Sequence, residues 1–427
     1  MSILKDLPEL IKAGVISKDT AANIETYFKN KNGPTTNKLF VVFGILGAIL
    51  VGMGIILIIA HNWDELSRSL KTFFAFLPLL IGQFFCGFAL LKKPDSAAWR
   101  ESTSAFLFFA VGASISLVSQ IYHIPGNLST YLLTWMLLCL PIIYAMKSSM
   151  VSLIYLAGIT YYACETSYWT YPTSTSYPYW VLLLLALPFY FGLLKKKPKS
   201  NFTYLHNWVI PVSLIITLGT LGDHFDELMF IAYISLFGLI YLIGESNFFS
   251  NQFSFSNGYR VLGSLGTIIL LLILSFDDFW DHLRSKTDLF DEVYTSPEFI
   301  TCVIISLIAL VLLYLQIKNK SIKNLKPIAL VFLIFVPIFI IGNYVPFSSL
   351  LINILIFLIA IHTIRVGTKQ NHLGILNYGL LIITILVICR FFDTNLSFVL
   401  RGMMFVTVGA GFFLANYWML KKRKAND

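Results

Sequence analysis

Polar side chains with acid-base capacity recur in this sequence where apolar stretches end. The densest group is a short turn between two long apolar runs, made of His61, Asn62, Trp63, Asp64 and Glu65. Such a group can bind a cation or a polyhydroxylated head group, with its carboxylates serving as ligands or bases. The same residue types are typical of an interfacial anchor, because aromatic rings settle at the depth of lipid head groups. The sequence leaves both interpretations open.

Three further segments place an aromatic residue beside acids at the end of an apolar run. The secondary candidates are Asp223, His224, Asp226, Asp281, His282, Arg390 and Asp393, followed by Arg401. No catalytic residue is predicted among them. The five cysteines lack the spacing of a zinc site or a disulfide framework, so we expect neither a metal nor a cofactor. The sequence contains no nucleotide-binding motif, which argues against a primary pump.

Composition identifies the elements that must position these residues. The 427 residues are 57% hydrophobic and 12% charged, with a mean hydropathy of +0.76, which leaves too little polar surface for a soluble globule. The run Leu39–Ala60 carries no charge and, as a helix, can cross the ~30 Å hydrocarbon core of a bilayer. Further apolar runs have approximate limits 70–91, 103–119, 130–146, 149–164, 178–194, 208–221, 228–243, 259–276, 299–317, 327–341, 348–364, 373–389 and 397–418. We therefore predict an all-α, polytopic integral membrane helix bundle with about fourteen transmembrane helices.

The chain divides into three predicted regions. Residues 1–36 form a cytoplasmic helical hairpin and linker, residues 37–420 form the transmembrane domain, and residues 421–427 form a basic tail. In the hairpin, Gly14 is expected to stop the first helix and Ser17 to cap the second. So short a hairpin cannot bury much core alone.

Residues 1–33 are therefore a possible contact for a protein partner. Nucleic acid is not expected as a partner, because the lysines of this region are offset by acids. The lipid bilayer is the expected environment, and the oligomeric state stays open.

The distribution of basic residues predicts the orientation. Lysine and arginine accumulate in alternate loops, and such loops are cytoplasmic in membrane proteins. This alternation predicts that both termini are cytoplasmic. It also predicts that segment 277–298 is the largest outer loop.

Specific residues also resemble a known family. Residues 13–17 read Ala-Gly-Val-Ile-Ser, and they are followed by Ile24, Tyr27-Phe28 and the turn at 61–64. This pattern resembles the bacterial predicted-membrane-protein family catalogued as domain of unknown function 2157. The far end, from Cys389 through Arg401 to Asn416, is similar to the closing segment of longer members. The resemblance implies a multi-span bacterial membrane protein, which we expect in the inner membrane, and carries no site residue with it.

Three functions are compatible with these observations. A secondary transporter or flippase of a small or amphipathic solute is favoured by the number of spans and the glycine-rich helices, although the sequence shows no matched pair of interrupted helices. A membrane sensor or scaffold that uses the N-terminal hairpin is the first alternative. A membrane-embedded transferase acting on a lipid-linked substrate at the outer face is the second.

Overall fold

The computed structural model describes most of the chain after residue 62. The described residues are 3–32, 63–171, 174–222, 225, 227–246, 248–249, 256–285, 293–320, 326–342, 344–391 and 397–424. The expected first span, Leu39–Ala60, lies outside them, as do His61 and Asn62. The chain divides into two units, Met1–Phe74 and Ala75–Asp427.

The first unit contains the predicted helical hairpin. Helix α1 covers Ile3–Lys12 and helix α2 covers Lys18–Asn32. Gly14 adopts a φ of +68°, a left-handed conformation that suits glycine, and it ends α1 as predicted. The hydroxyl of Ser17 accepts a hydrogen bond from the amide of Thr20 at 3.1 Å, which confirms the predicted cap.

The described residues contain sixteen helices and no strand. After the hairpin they are α3 (Arg68–Lys92), α4 (Ala97–Tyr122), α5 (Leu128–Met146), α6 (Ser149–Cys164), α7 (Tyr177–Lys196), α8 (Asn201–Leu218), α9 (Leu228–Gly244), α10 (Gly258–Ile273), α11 (Asp277–Ser285), α12 (Pro297–Lys320), α13 (Val331–Gly342), α14 (Ser348–Lys369), α15 (Leu373–Phe391) and α16 (Phe398–Lys424). Every apolar run predicted beyond residue 69 coincides with one of these helices. The all-α prediction of a membrane helix bundle is confirmed.

Eight helices in the described part of the chain are long and apolar enough to cross a membrane. The number becomes nine if α10 and α11, which meet at a bend of 71°, form one span. Shorter apolar helices lie at Leu228–Gly244, Pro327–Gly342 and Arg401–Leu414. The expected total of about fourteen stays a prediction.

Capping side chains explain where many of these helices begin. Ser96, Asn127, Ser148, Ser200 and Asn257 each accept a hydrogen bond from a backbone amide in the first turn of the helix that follows. A cap of this kind satisfies an amide that has no partner inside the helix. These short polar residues therefore mark the positions at which the helices begin.

Helix α9 is the most central element of the second unit. It packs against α10, α12 and α13, and its residues contribute to both large hydrophobic clusters of the fold. One cluster is formed mainly by α5 to α9 and the other mainly by α9 to α15. Because α9 is apolar on all sides, it is buried by its neighbours and exposes little of its surface.

In each of two helix pairs, a glycine lets the two helices pack closely against each other. A Cβ atom on Gly263 of α10 would lie 2.6 Å from the backbone nitrogen of Tyr241 in α9. A Cβ atom on Gly367 of α14 would lie 2.4 Å from the backbone nitrogen of Leu376 in α15. Such distances are shorter than any normal contact, so only glycine allows the backbones to pack at this separation. The pairs α9/α10 and α14/α15 are therefore two tight helical hairpins.

The segment Leu274–Phe276 interrupts the helical path between α10 and α11. Helix α10 ends at Ile273, and α11 leaves at 71° from its direction. Segment 277–298, predicted to be the largest outer loop, contains helix α11 and a short 3₁₀ turn at Val293–Thr295. Its location on the outer side of the membrane stays a prediction.

Candidate functional site

The opening turn keeps three of its five candidate residues within the described part of the chain. Asp64 and Glu65 are exposed, and Trp63 is half-buried. The ammonium of Lys71 lies 5.9 Å from the centre of the Trp63 ring and 3.5 Å from the backbone oxygen of Asp64. The contacts that the structure describes at this turn therefore involve the ring and the backbone.

The secondary candidates have different outcomes. Asp223, His224, Asp226 and Asp393 lie outside the described residues. Asp281 and His282 are exposed on α11, where Asp281 forms a salt bridge with Arg284. The Arg401 guanidinium lies 5.0 Å from the centre of the Phe398 ring at the start of α16.

Arg390 belongs to a polar cluster at the break between α10 and α11. Its guanidinium donates to the hydroxyl of Ser275 at 3.2 Å and lies 4.6 Å from the centre of the Phe276 ring. Asn353 of α14 donates to the backbone oxygen of Ser275 at 3.1 Å. The interrupted backbone is thus held by side chains of α14 and α15, as an unpaired carbonyl in an apolar environment requires.

Asp277 completes this cluster, which we call the break cluster: Ser275, Asp277, Ser349, Asn353 and Arg390. The hydroxyl of Ser349 donates to the carboxylate of Asp277. Asn353 also donates to the backbone oxygen of Ser349 at 2.8 Å. The break cluster therefore combines a carboxylate, a guanidinium, an amide and two hydroxyl groups at one end of a membrane helix. Such a set can hydrogen-bond a polar solute or neutralise a charged one.

Trp280, at the start of α11, has a structural role. The Trp280 ring is 1% exposed, and its Nε1 donates to the backbone oxygen of Leu274 at 2.8 Å. A Cβ atom on Gly342 would lie 2.2 Å from the Trp280 ring, so α13 packs directly on it. Interfacial anchoring is therefore the wrong interpretation for Trp280, which is a core residue that stabilises the break.

A basic cavity of about 460 Å³ lies at the opposite end of the same helices. Its walls come from α9, α10, α14, α15 and the 3₁₀ turn Pro327–Leu330. The polar lining consists of Tyr241, Arg260, Ser264, Lys326, His362, Thr363, His372 and Tyr378. Cavities of this size, mostly apolar with a few polar groups, are typical of small-molecule sites.

The two cations of the basic cavity share one carboxylate. Arg260 Nε lies 3.1 Å and Lys326 Nζ 2.8 Å from Oε1 of Glu245. Glu245 follows the last turn of α9 and does not line the cavity, and no described lining residue is acidic. The side chains of Arg260 and Lys326 are 35% and 33% exposed. The cavity therefore presents a positive potential to any ligand that enters it.

A tight turn positions His372 at the rim of this cavity. Asn371 has a φ of +51°, which lets the chain reverse between α14 and α15. The Nδ1 atom of His372 then accepts a hydrogen bond from the amide of Ile375 at 3.3 Å and caps α15. Sequence reasoning missed the basic cavity because it treated Arg260 and Lys326 as loop charges that only report topology.

An open groove of about 1120 Å³ lies between α3, α4 and α5. Gln83, Gln120, His123 and Asn127 supply some of its polar lining. Gln83 is one of the polar residues that the sequence places inside an apolar run. In the part of the chain that the structure describes, no three histidine, cysteine or acidic side chains converge as metal ligands.

Comparison with known proteins finds a similar family for the N-terminal part of the chain. No curated protein and no solved structure matches the chain at a significant level. The model of a family described as "Predicted membrane protein (DUF2157)" matches residues 8–152, about a third of the chain. The match ends before α9, so it includes neither the break cluster nor the basic cavity. The N-terminal part of this membrane protein is thus similar to the predicted membrane proteins of domain of unknown function 2157, as the sequence pattern indicated.

Proposed function

We propose that the protein is a secondary transporter or flippase of a small or amphipathic solute. One observation carries the proposal: helices α14 and α15 contribute residues both to the break cluster at one end and to the basic cavity at the other, and α10 runs from the cavity to the break. The three helices also contact one another pairwise. Polar side chains in membrane helices are costly and mark solute pathways more often than lipid-facing surfaces.

Each end of this helix set contains an arginine. Arg390 belongs to the break cluster, and Arg260 lines the basic cavity. An interrupted helix with polar backbone groups is the feature that many transporters use to coordinate a solute. The break cluster and the basic cavity are thus two polar sites, one at each end of the same three helices.

An apolar layer separates the two polar sites. Ile268 and Leu271 of α10, Ile356 and Ile359 of α14, and Ile382 of α15 are all buried in one hydrophobic cluster. A solute can pass only if these side chains separate, so the structure corresponds to a closed state of the proposed pathway. Transport then requires the pairs α9/α10 and α14/α15 to move relative to each other.

We further propose that the protein lies in the cytoplasmic membrane of a bacterium with both termini in the cytoplasm. The alternation of basic loops supports this orientation. Side-chain contacts are consistent with it, because Glu245, Arg260 and Lys326 are all expected on the cytoplasmic side and do meet. Asp277 and Ser349 are both expected on the outer side, and they also meet.

Cysteine accessibility tests the pathway without knowledge of the solute. Ile356 is fully buried in the apolar layer, whereas Leu358 on the same helix is 57% exposed to the surroundings of the bundle. In a cysteine-free background, Ile356→Cys should react with a small water-soluble thiol reagent applied to either side of membrane vesicles. Leu358→Cys is the matched control and should stay unreactive, because a lipid-facing thiol has no access to water.

The result separates a pathway from a static core. Reaction of Ile356→Cys from both sides, at a rate that Arg390→Gln lowers, supports alternating access. No reaction from either side, under conditions where an exposed loop cysteine reacts fully, contradicts transport through these helices. It would leave the sensor or scaffold as the better hypothesis.

A further inference from the structure

We infer that the basic cavity binds the phosphate head group of an anionic lipid from the membrane leaflet at that end of the bundle. The inference concerns binding alone and goes beyond the proposed transport, because a lipid can occupy the cavity without crossing the membrane. It rests on the charge of the cavity, on its apolar walls and on its position at a helix end.

The charge of the cavity selects an anion. The guanidinium of Arg260 and the ammonium group of Lys326 both line the cavity. Glu245, whose Oε1 contacts both cations in the part of the chain that the structure describes, does not line the cavity. The described lining therefore contains two cations and no acidic side chain. Guanidinium and ammonium groups in this arrangement form charge-assisted hydrogen bonds with phosphate oxygens.

Two histidines extend the polar part of the cavity. His362 and His372 both line it, on α14 and at the start of α15. An imidazole can donate N–H to an oxyanion in addition to the two cations. The phenolic group of Tyr241 and the hydroxyl pair Ser264–Tyr378, in which one O–H is used within the pair, add neutral donors. A head group with several oxygens can therefore be bound from several directions.

The rest of the lining favours a lipid over a free anion. Val261, Leu265, Pro327, Ile328, Val366 and Ile375 form the apolar part of the cavity. An inorganic anion gains nothing from these side chains, whereas an acyl chain buries apolar area against them. Basic pockets between transmembrane helices near a membrane surface are typical binding sites for anionic lipid head groups.

The experiment uses the purified full-length protein in an uncharged detergent. Phosphatidylglycerol and phosphatidylcholine with identical acyl chains are titrated separately, and bound lipid is counted by native mass spectrometry. We expect phosphatidylglycerol to bind at least tenfold more tightly than phosphatidylcholine. The double variant Arg260→Gln/Lys326→Gln should lower the affinity for phosphatidylglycerol roughly tenfold or more and leave the weak phosphatidylcholine binding unchanged.

Two further variants keep the test decisive if loss of both cations disturbs folding. Val366→Trp keeps every charge and fills part of the cavity, so it should also lower phosphatidylglycerol affinity. Arg365→Gln is the matched control, because Arg365 is an exposed cation on the same helix that does not line the cavity. The affinity of Arg365→Gln for phosphatidylglycerol should equal that of the unaltered protein.

Three results would overturn the inference. The first is equal binding of the two lipids. The second is an affinity for phosphatidylglycerol that neither the double variant nor Val366→Trp changes. The third is displacement of phosphatidylglycerol by millimolar sodium phosphate, which would show that the cavity takes a free anion and that the lipid assignment is wrong.

Discussion

The hydroxyl groups of Ser264 and Tyr378 lie 2.9 Å apart, although 114 positions separate the two residues in the chain. Their hydrogen bond connects α10 with α15 beside the basic cavity. It therefore joins the two glycine-packed hairpins at the point where the proposed pathway must open.

The first prediction is that Tyr378→Phe destabilises the closed arrangement of these hairpins. The variant removes one interhelical hydrogen bond, so we expect the free energy of unfolding to fall by about 0.5–1 kcal/mol. Ser264→Ala should cost a similar amount, and the double variant should cost little more than either single change. Unfolding in detergent, followed by circular dichroism, measures this cycle. Fully additive effects would mean that the hydroxyl groups act independently.

The second prediction concerns the close approach of α14 and α15. Gly367→Ala places a Cβ atom 2.4 Å from the backbone nitrogen of Leu376, so the helices must separate. We expect a loss of about 1–3 kcal/mol, the typical cost of overpacking. Gly192→Ala in α7 is the control, because no atom lies within 4 Å of its added Cβ, and it should be neutral or slightly stabilising. Similar melting temperatures for the two variants would contradict the close packing.

The helices were predictable because their signals are local. Each apolar run and each capping residue acts within a few positions, and Ser67 illustrates this. Its hydroxyl accepts a hydrogen bond from the amide of Leu70 at 3.4 Å, directly before α3, whose apolar run was expected to begin at residue 70. A polar side chain inside an apolar run is expected to bond to a neighbouring segment, and Asn353 does so through the backbone oxygen of Ser275.

The sites were less predictable because they depend on contacts between distant residues. Asp277 and Ser349 are 72 positions apart, and Lys326 and Glu245 are 81 apart. Nothing in the local pattern around Asp277 indicates that a serine of α14 will meet its carboxylate. Arg390 was identified as a candidate from its position at a span end, but its partner Ser275 was not. The break itself was missed because the run 259–276 reads as one uninterrupted apolar segment.

The third prediction tests orientation. In a cysteine-free background, Ser285→Cys in α11 should be labelled by an impermeant thiol reagent applied outside the cell. Lys197→Cys, after α7, should be protected until the membrane is permeabilised, because its loop is among the most basic of the chain. The reverse pattern would show that the membrane orientation is inverted.

The fourth prediction separates a cap from a site carboxylate in the opening turn. Ser67→Ala should reduce stability by roughly 1 kcal/mol, because it removes the acceptor for the first turn of α3. Asp64→Asn should change the melting temperature less, because the Asp64 carboxylate is exposed and the contact that the structure shows to Lys71 uses the backbone oxygen. A larger loss for Asp64→Asn than for Ser67→Ala would mean that the carboxylate has a structural partner.

The fifth prediction is that residues 1–33 are dispensable for membrane insertion. We propose that this hairpin contacts a protein partner. A chain that begins at residue 34 keeps the apolar run Leu39–Ala60, so it should still reach the membrane in its normal orientation. Fractionation and labelling of Ser285→Cys in the truncated chain measure both properties. Failure to insert, or an inverted orientation, would identify the hairpin as a topogenic element.

The break between α10 and α11 sets a condition on the timing of synthesis. The backbone oxygen of Ser275 accepts its hydrogen bond from Asn353, which is translated 78 residues later. At about 5–20 residues per second, the ribosome needs roughly 4–16 s to produce that donor. During this interval the interrupted segment must be hydrated or shielded by the insertion machinery, since lipid offers its carbonyl groups no partner. The hydrogen bond that stabilises the bend can therefore form only after α14 has been synthesised. The second half of the bundle then packs around this segment.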